Sequence, residues 1–330
     1  TTTEEIDVVV EGDLKVGNFS VTFEDVNIPL AGMPIIVTRT YDSRQKDQDL
    51  DFGYGWSIDY QNARLHESRI LGRGWSVNRR EQGIFDSFCI EPDGNSPIVS
   101  VTLPSGRVEK FAAKASPECA QFIPPTEVSI VFEPLSGTSS TLTQSDFGPV
   151  RINGGNLIDL GRPGDEVDPQ NYQLTTADGY VYDLEQGFNI RKVTEPSGQS
   201  LTFTGDGVQH STGASVSFTR DANGNISAIT LPDETQITYE YDAAGNLTAH
   251  KDQLDNTTTF AYNNEHGLVD ILDPRGVRVT RNEYDDSGRL IAQIDADGNR
   301  IEFTHNIDSN TEIVKNRRLS IILLPPPHHV

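Results

Sequence analysis

The chain has 330 residues, of which 28 are glycine and 18 proline, and only 35% are hydrophobic. Its net charge of −23 sets nucleic-acid phosphates and anionic membrane surfaces against it as partners. No apolar stretch reaches the length of a membrane span, and Thr1 does not begin a basic-then-apolar leader. Met33 is the only methionine, so the sequence reads as a chain whose leader has been removed or as a piece of something longer.

Residues 1–66 read as β-rich. Strand-length runs lie at Ile6 to Val10, Phe19 to Phe23 and Pro34 to Tyr41, each bounded by Gly, Pro or Asn. The segment Asp51-Phe-Gly-Tyr-Gly-Trp-Ser57 sets glycine between aromatics, the pattern of a bulge or sharp bend with rings packing across neighbouring strands. Residues 67–180 keep the texture of strands and turns but lose regularity. Leu103-Pro-Ser-Gly-Arg-Val-Glu-Lys-Phe111 reads as a turn leading into a strand, and Ser136 to Ser140 and Gly161 to Gln170 read as loops. Cys89 and Cys119, some 30 residues apart, form either one disulfide of an oxidising compartment or two buried thiols.

Residues 181–306 carry an internal repeat. Asp221-Ala-Asn-Gly-Asn-Ile226, Asp242-Ala-Ala-Gly-Asn-Leu247, Asn264-Glu-His-Gly-Leu-Val269 and Asp286-Ser-Gly-Arg-Leu290 align on Gly224, Gly245, Gly267 and Gly288, spaced by 21, 22 and 21 residues. A second turn lies between them at Leu231-Pro-Asp-Glu234, Leu254-Asp-Asn256, Asp273-Pro-Arg-Gly276 and Asp295-Ala-Asp-Gly298. Weaker copies precede them, around Gly187 with Gly198 and around Gly207 with Phe218. Two turns in about 21 residues leave two short strands, hence one hairpin per repeat, with Asx-Gly supplying the positive φ of each tight turn. A lone hairpin is marginal in water, so the copies must join edge to edge. The expected fold is all-β: a curved or spiralling antiparallel strip of tandem hairpins.

The unit Tyr241-Asp-Ala-Ala-Gly-Asn-Leu-Thr248 resembles the tyrosine–aspartate (YD) repeat of the Rhs family. Upstream, Asn27 to Pro34, Arg39-Thr-Tyr-Asp-Ser-Arg44 and Phe52-Gly-Tyr-Gly-Trp-Ser57 resemble the region that precedes those repeats. On that resemblance the motif residues are Arg39, Tyr41, Asp42, Ser43, Arg44, Gly53, Tyr54, Gly55 and Trp56, followed by Gly224, Tyr241, Asp242, Gly245, Gly267 and Gly288. The family implies a long β-strip that winds into a hollow shell around a toxic domain or client polypeptide, secreted or at the cell surface. Full members are several times longer, and their Asp-Pro self-cleavage segment is missing. Asp273-Pro274 sits at an ordinary repeat turn and is not expected to cleave. Residues 307–330 depart from the repeat, running basic and apolar from Ile313 to Leu324, and read as a truncated reading frame, an appended remnant or a docking peptide, with truncation preferred.

Catalysis needs convergent groups with tuned pKa values, and no such pattern stands out. His66, His210, His250, His266, His305, His328 and His329 do not recur from copy to copy and read as scattered surface residues. The pair His328-His329 on a chain end makes a poor metal site. Asp295-Ala-Asp-Gly-Asn299 resembles a calcium loop but lacks its closing glutamate, and reads as a turn. No cofactor is expected, nor an enzyme. The leading reading is a structural scaffold whose partners are further repeats of a parent chain, other copies of itself, or an enclosed client. The alternatives are an adhesive module that binds glycans and a filament subunit that pairs through open β-edges.

Overall fold

In a computed structural model of the chain, the described residues are 17–58, 64–82, 85–103, 105–162, 164–306, 311–315 and 320–323. The run Ile6 to Val10 and the pair His328-His329 lie outside them. Among the described residues there is no α-helix; a single 3-10 turn, Ser43–Gln45, interrupts a series of antiparallel strands. The chain divides into two compact units, one of Thr1–Asn27, Ile36–Asp59 and Val216–Val330, the other of Ile28–Ile35 and Tyr60–Ser215.

In the first unit, Ser20–Ile28, Ile35–Asp42 and Trp56–Ile58 form a three-stranded sheet in that order, beside the ribbon Asp49–Leu50/Gly53–Tyr54. The repeat region follows as successive neighbours, from Ser215–Arg220 and Ile226–Thr230 through Gln236–Tyr241, Leu247–Lys251, Thr257–Tyr262, Leu268–Leu272, Arg278–Tyr284 and Leu290–Asp295 to Arg300–Asn306. Strands Thr311–Lys315 and Ser320–Leu323 end the series. Side chains alternate as a half-buried strand requires: Ile237 and Tyr239 are buried while Gln236 and Glu240 are exposed. The glycine-to-leucine half of each unit carries a bulge. Two residues, such as Leu247 and Thr248, stand where Tyr241 and Glu240 have one step between them, and the same shift recurs at Arg220, Tyr262 and Tyr284.

Most of the repeat turns are closed by the Asp or Asn that begins them. Asp242 Oδ1 accepts the amides of Ala244 and Asn246, at 2.9 Å each, and Asn246 Nδ2 returns a bond to Asp242 Oδ2. Asp221, Asp252, Asp273, Asp285 and Asp295 repeat the two amide bonds at the same offsets, and Asn263 does so with its amide oxygen. These are Asx-turns, which explains the recurring acid without a metal. Asp295 thus closes a turn on Asp297 and Asn299.

The glycine register expected for the third repeat shifts by one residue. Positive φ falls on Gly224, Gly245, His266 and Gly288, and Gly267 occupies the next position. Asn263, not Asn264, closes the turn there, so counting back from Gly267 misaligns the copy. In the second set of turns the left-handed residues are Glu234, Asp255, Gly276 and Gly298.

The second unit builds its core on Trp75, Phe111, Ile90, Leu71, Leu157 and Leu174, all essentially buried. A four-stranded sheet runs in the order Ser129–Pro134, Val108–Ser116, Ile98–Thr102, Arg64–Glu67. A three-stranded sheet runs Cys119–Gln121, Phe85–Pro92, Trp75–Gln82, and places Cys89 directly opposite Cys119, where they form a disulfide. Hairpin texture resumes well before residue 181: Asn171–Thr175, Val181–Glu185, Asn189–Thr194, Ser200–Thr204 and Gly207–His210 are successive neighbours.

A left-handed glutamate is strained where glycine would not be. Glu234→Gly at φ 68° is therefore expected to raise the denaturation midpoint, by about 0.5–1 kcal/mol, whereas Gly224→Ala at φ 97° lowers it.

Candidate functional site: the lead-in segment on the repeat strip

A bulge turns a backbone amide away from its partner strand, and a buried amide needs an acceptor. Within the first unit, the residues ahead of the repeats supply three. Ile226 N–H donates to Asp51 O at 2.8 Å, Leu290 N–H to Gly17 O at 2.9 Å, and Leu268 N–H to the Tyr41 hydroxyl at 3.0 Å. That hydroxyl itself donates to His266 O at 2.9 Å. Tyr54 N–H reaches Gly245 O at 3.4 Å, and the Tyr54 ring stacks on His266 at 3.8 Å.

The tyrosines of the repeats work in the same currency. Tyr241 donates to Ile226 O at 2.6 Å and Tyr284 to Leu268 O at 2.9 Å, each tying one copy to the bulge of the copy before. Tyr262 instead accepts Trp56 Nε1–H at 2.7 Å. Arg220 stands where a tyrosine would and pairs with Asp51 at 2.6 Å. Burial raises the phenols of Tyr41, Tyr241, Tyr262 and Tyr284 well above the ordinary tyrosine range, so they remain protonated donors.

Glycine is obligatory twice in the Phe52-Gly-Tyr-Gly-Trp56 stretch. Both residues have positive φ; a Cβ on Gly53 would lie 2.4 Å from Gly245 O, and one on Gly55 2.7 Å from the Tyr41 ring. Trp56 and Tyr41 are fully buried, as is Arg39. Arg39 forks onto Asp25, Nε to Oδ2 at 2.8 Å and Nη2 to Oδ1 at 3.1 Å. Five rings surround its guanidinium: Trp56 at 4.7 Å, Phe23 at 5.0 Å, Phe260 at 5.3 Å, Tyr239 at 5.6 Å and Phe52 at 5.9 Å. Tyr239 also donates to Asp25 at 2.8 Å, and His250 Nε2 lies 3.4 Å from it. Burial lowers the His250 pKa, with Asp25 opposing, so the cluster keeps one net pair of charges. Asp42 caps the turn Ser43–Gln45 by accepting Arg44 N–H at 2.9 Å and pairs with the Arg44 guanidinium; Ser43 Oγ accepts Phe19 N–H at 2.8 Å.

The histidines are less superficial than their scatter suggests. His210 is buried with Nδ1 against Thr212, His266 is bonded to Asn246 Oδ1 at 2.6 Å, and His305 Nε2 lies 2.6 Å from Leu290 O. Each serves a neighbouring turn or bulge. His66 alone of the described histidines is exposed.

The second unit holds one cluster that sequence reasoning missed. A cleft of about 330 Å³ is lined by Leu65, His66, Glu67, Arg69, Ile70, Asp168, Gln186 and Gly187. Tyr172 Oη donates to Glu67 Oε1, and Gln186 Nε2 donates to the same oxygen at 2.8 Å and to Pro169 O at 2.7 Å. Burial, with Asp168 adding repulsion, pushes the Glu67 carboxyl up to about 7. No sequence signal joins Glu67 to Tyr172, 105 residues away. Among the described residues no group of three or more His, Cys, Asp or Glu could hold a metal ion, and no helix is long and apolar enough to cross a membrane.

Residues 220–253 and 241–278 match the RHS Repeat as two overlapping copies, and residues 13–66 match a domain of unknown function, DUF6531. No curated protein matches the chain.

Removing one partner of a buried ion pair strands the other. Asp25→Asn is expected to cost about 3–5 kcal/mol in chemical denaturation, while Asp25→Leu with Arg39→Met recovers most of it. Glu67 has its folded pKa raised from 4.5 to about 7, so its contribution is full below 4.5 and is lost as pH rises toward 7. Denaturation midpoints measured across that window should fall with pH in the native chain, and fall less in Glu67→Gln.

Proposed function

The chain belongs to the Rhs/YD-repeat family, and from that premise we propose that it is a non-catalytic scaffold, part of a secreted or cell-surface shell that encloses or presents a client polypeptide. The observation that carries this reading is how the repeat spends its reactive side chains. Its aspartates close their own turns, Tyr241 and Tyr284 bond bulge carbonyls, and Arg39 of the lead-in is sealed among rings. These are the residue types that catalysis or ligand binding would recruit, and here they hold backbone in place.

Residues 1–66 then act as a lead-in that fixes the first strands, 67–180 as an irregular β region, 181–306 as the strip proper and 307–330 as a divergent tail. The acidic surface keeps such a strip soluble. Further repeats of a parent chain, or a second copy, would extend such a strip by pairing strand edge to strand edge.

Sedimentation over a wide concentration range, with negative-stain imaging of the largest species, tests the reading. Association into regularly repeating assemblies is expected. A strictly monomeric profile at high concentration would argue against the strand edge as a working surface.

A further inference from the structure

Around the disulfide of the second unit, the segment 117–127 carries a short edge strand. Its strand Cys119–Gln121 has three residues, lies at the outside of its sheet and pairs only with Phe85–Pro92. Two backbone bonds flank it, Ile90 N–H to Glu118 O at 2.8 Å and Phe122 N–H to Asp86 O at 3.2 Å. A three-residue strand at the edge of a sheet belongs to the less stable part of a fold.

Yet this segment is kept in a costly state. Phe122 has φ 71°, a left-handed conformation that is strained for a bulky residue, and it is 65% exposed, with Ile123 at 63%. Ile123 N–H closes this turn on Gln121 O at 2.9 Å, and the disulfide at Cys119 anchors the strand that carries it. The two cysteines differ in access: Cys119 is exposed and Cys89 fully buried. Glu118, on the same segment, also forms part of the wall of a cleft of about 270 Å³ that reaches Trp75, Ile90, Pro92 and Lys114.

We propose that the Cys89–Cys119 disulfide is a redox latch: opened by a small thiol, it releases the segment 117–127 and uncovers the edge of strand Phe85–Pro92 while the rest of the unit stays folded. The chemistry is ordinary exchange. A thiolate attacks Cys119 Sγ, forming a mixed disulfide and expelling Cys89 as thiolate, which takes up a proton. A second thiolate then attacks the external sulfur, freeing Cys119 and leaving the reductant as its own disulfide. With the bond gone, the strand Cys119–Gln121 lifts, and the released backbone no longer covers Ser87 and Cys89. A chain assembled in an oxidising exterior would thereby loosen one flank on reaching a reducing compartment.

The test uses the full chain, dithiothreitol as the thiol, iodoacetamide trapping read by mass spectrometry, and limited proteolysis. Both cysteines are expected to become alkylated at thiol concentrations that leave the β-sheet circular dichroism unchanged. Cleavage within 117–127 should accelerate about tenfold as local opening becomes cheap. The Cys89→Ser/Cys119→Ser variant, if it folds, should be cut at the fast rate with or without thiol. Alkylation that appears only with global loss of the sheet signal overturns the proposal. So does complete alkylation with no change in cleavage of the segment.

Discussion

A β-bulge in every repeat leaves backbone that the strip alone does not satisfy, and the first unit is organised around meeting that need. The register skips Ser227, Val269 and Ile291, the amides of Ile226, Leu268 and Leu290 beside them find acceptors outside the strip, and Asp51, Tyr41 and Gly17 supply those acceptors. The carbonyls of the same residues take tyrosine or histidine donors from the following copy, at Tyr241, Tyr284 and His305. An unmet buried amide costs about 1–3 kcal/mol, so three of them are comparable with much of a domain's net stability. The bulge therefore makes lead-in and strip interdependent.

The Arg39 cluster follows from that docking. Once Tyr41 and Trp56 are set against Tyr262 and Phe260, Arg39 on the same strand is carried inward, and only a forked carboxylate and ring faces make its burial tolerable. Asp25 meets the fork from the adjacent strand, with Tyr239 completing its bonds from the repeat side. A buried ion pair adds little net stability compared with apolar side chains of the same volume. Its value here lies in register: a sheet slipped by one residue would leave both charges unpaired.

How much of this was readable in advance depended on sequence distance. The turns were legible because an Asx-turn is a local object, closed within five residues by the acid that begins it. Strand alternation at Ile237 to Tyr241 was legible for the same reason. The third copy misled because His266, not glycine, takes the left-handed position, so Gly267 anchored the wrong register. Arg39 with Asp25, Tyr41 with Leu268, and Glu67 with Tyr172 join residues that no local pattern connects. For Cys89 and Cys119 the spacing left disulfide and free thiols open, and strand register brings them together.

The interdependence of lead-in and strip rests most directly on the Leu268 amide. Tyr41→Phe deletes its acceptor, and with it the donor to His266 O, while the ring and its packing remain. Native-state hydrogen exchange, followed residue by residue, is the measurement. Leu268 should lose protection by about tenfold or more, while Gly17 and Asp51 continue to shield Leu290 and Ile226. Unchanged protection at Leu268 would mean that the lead-in residues lie beside the strip without holding it.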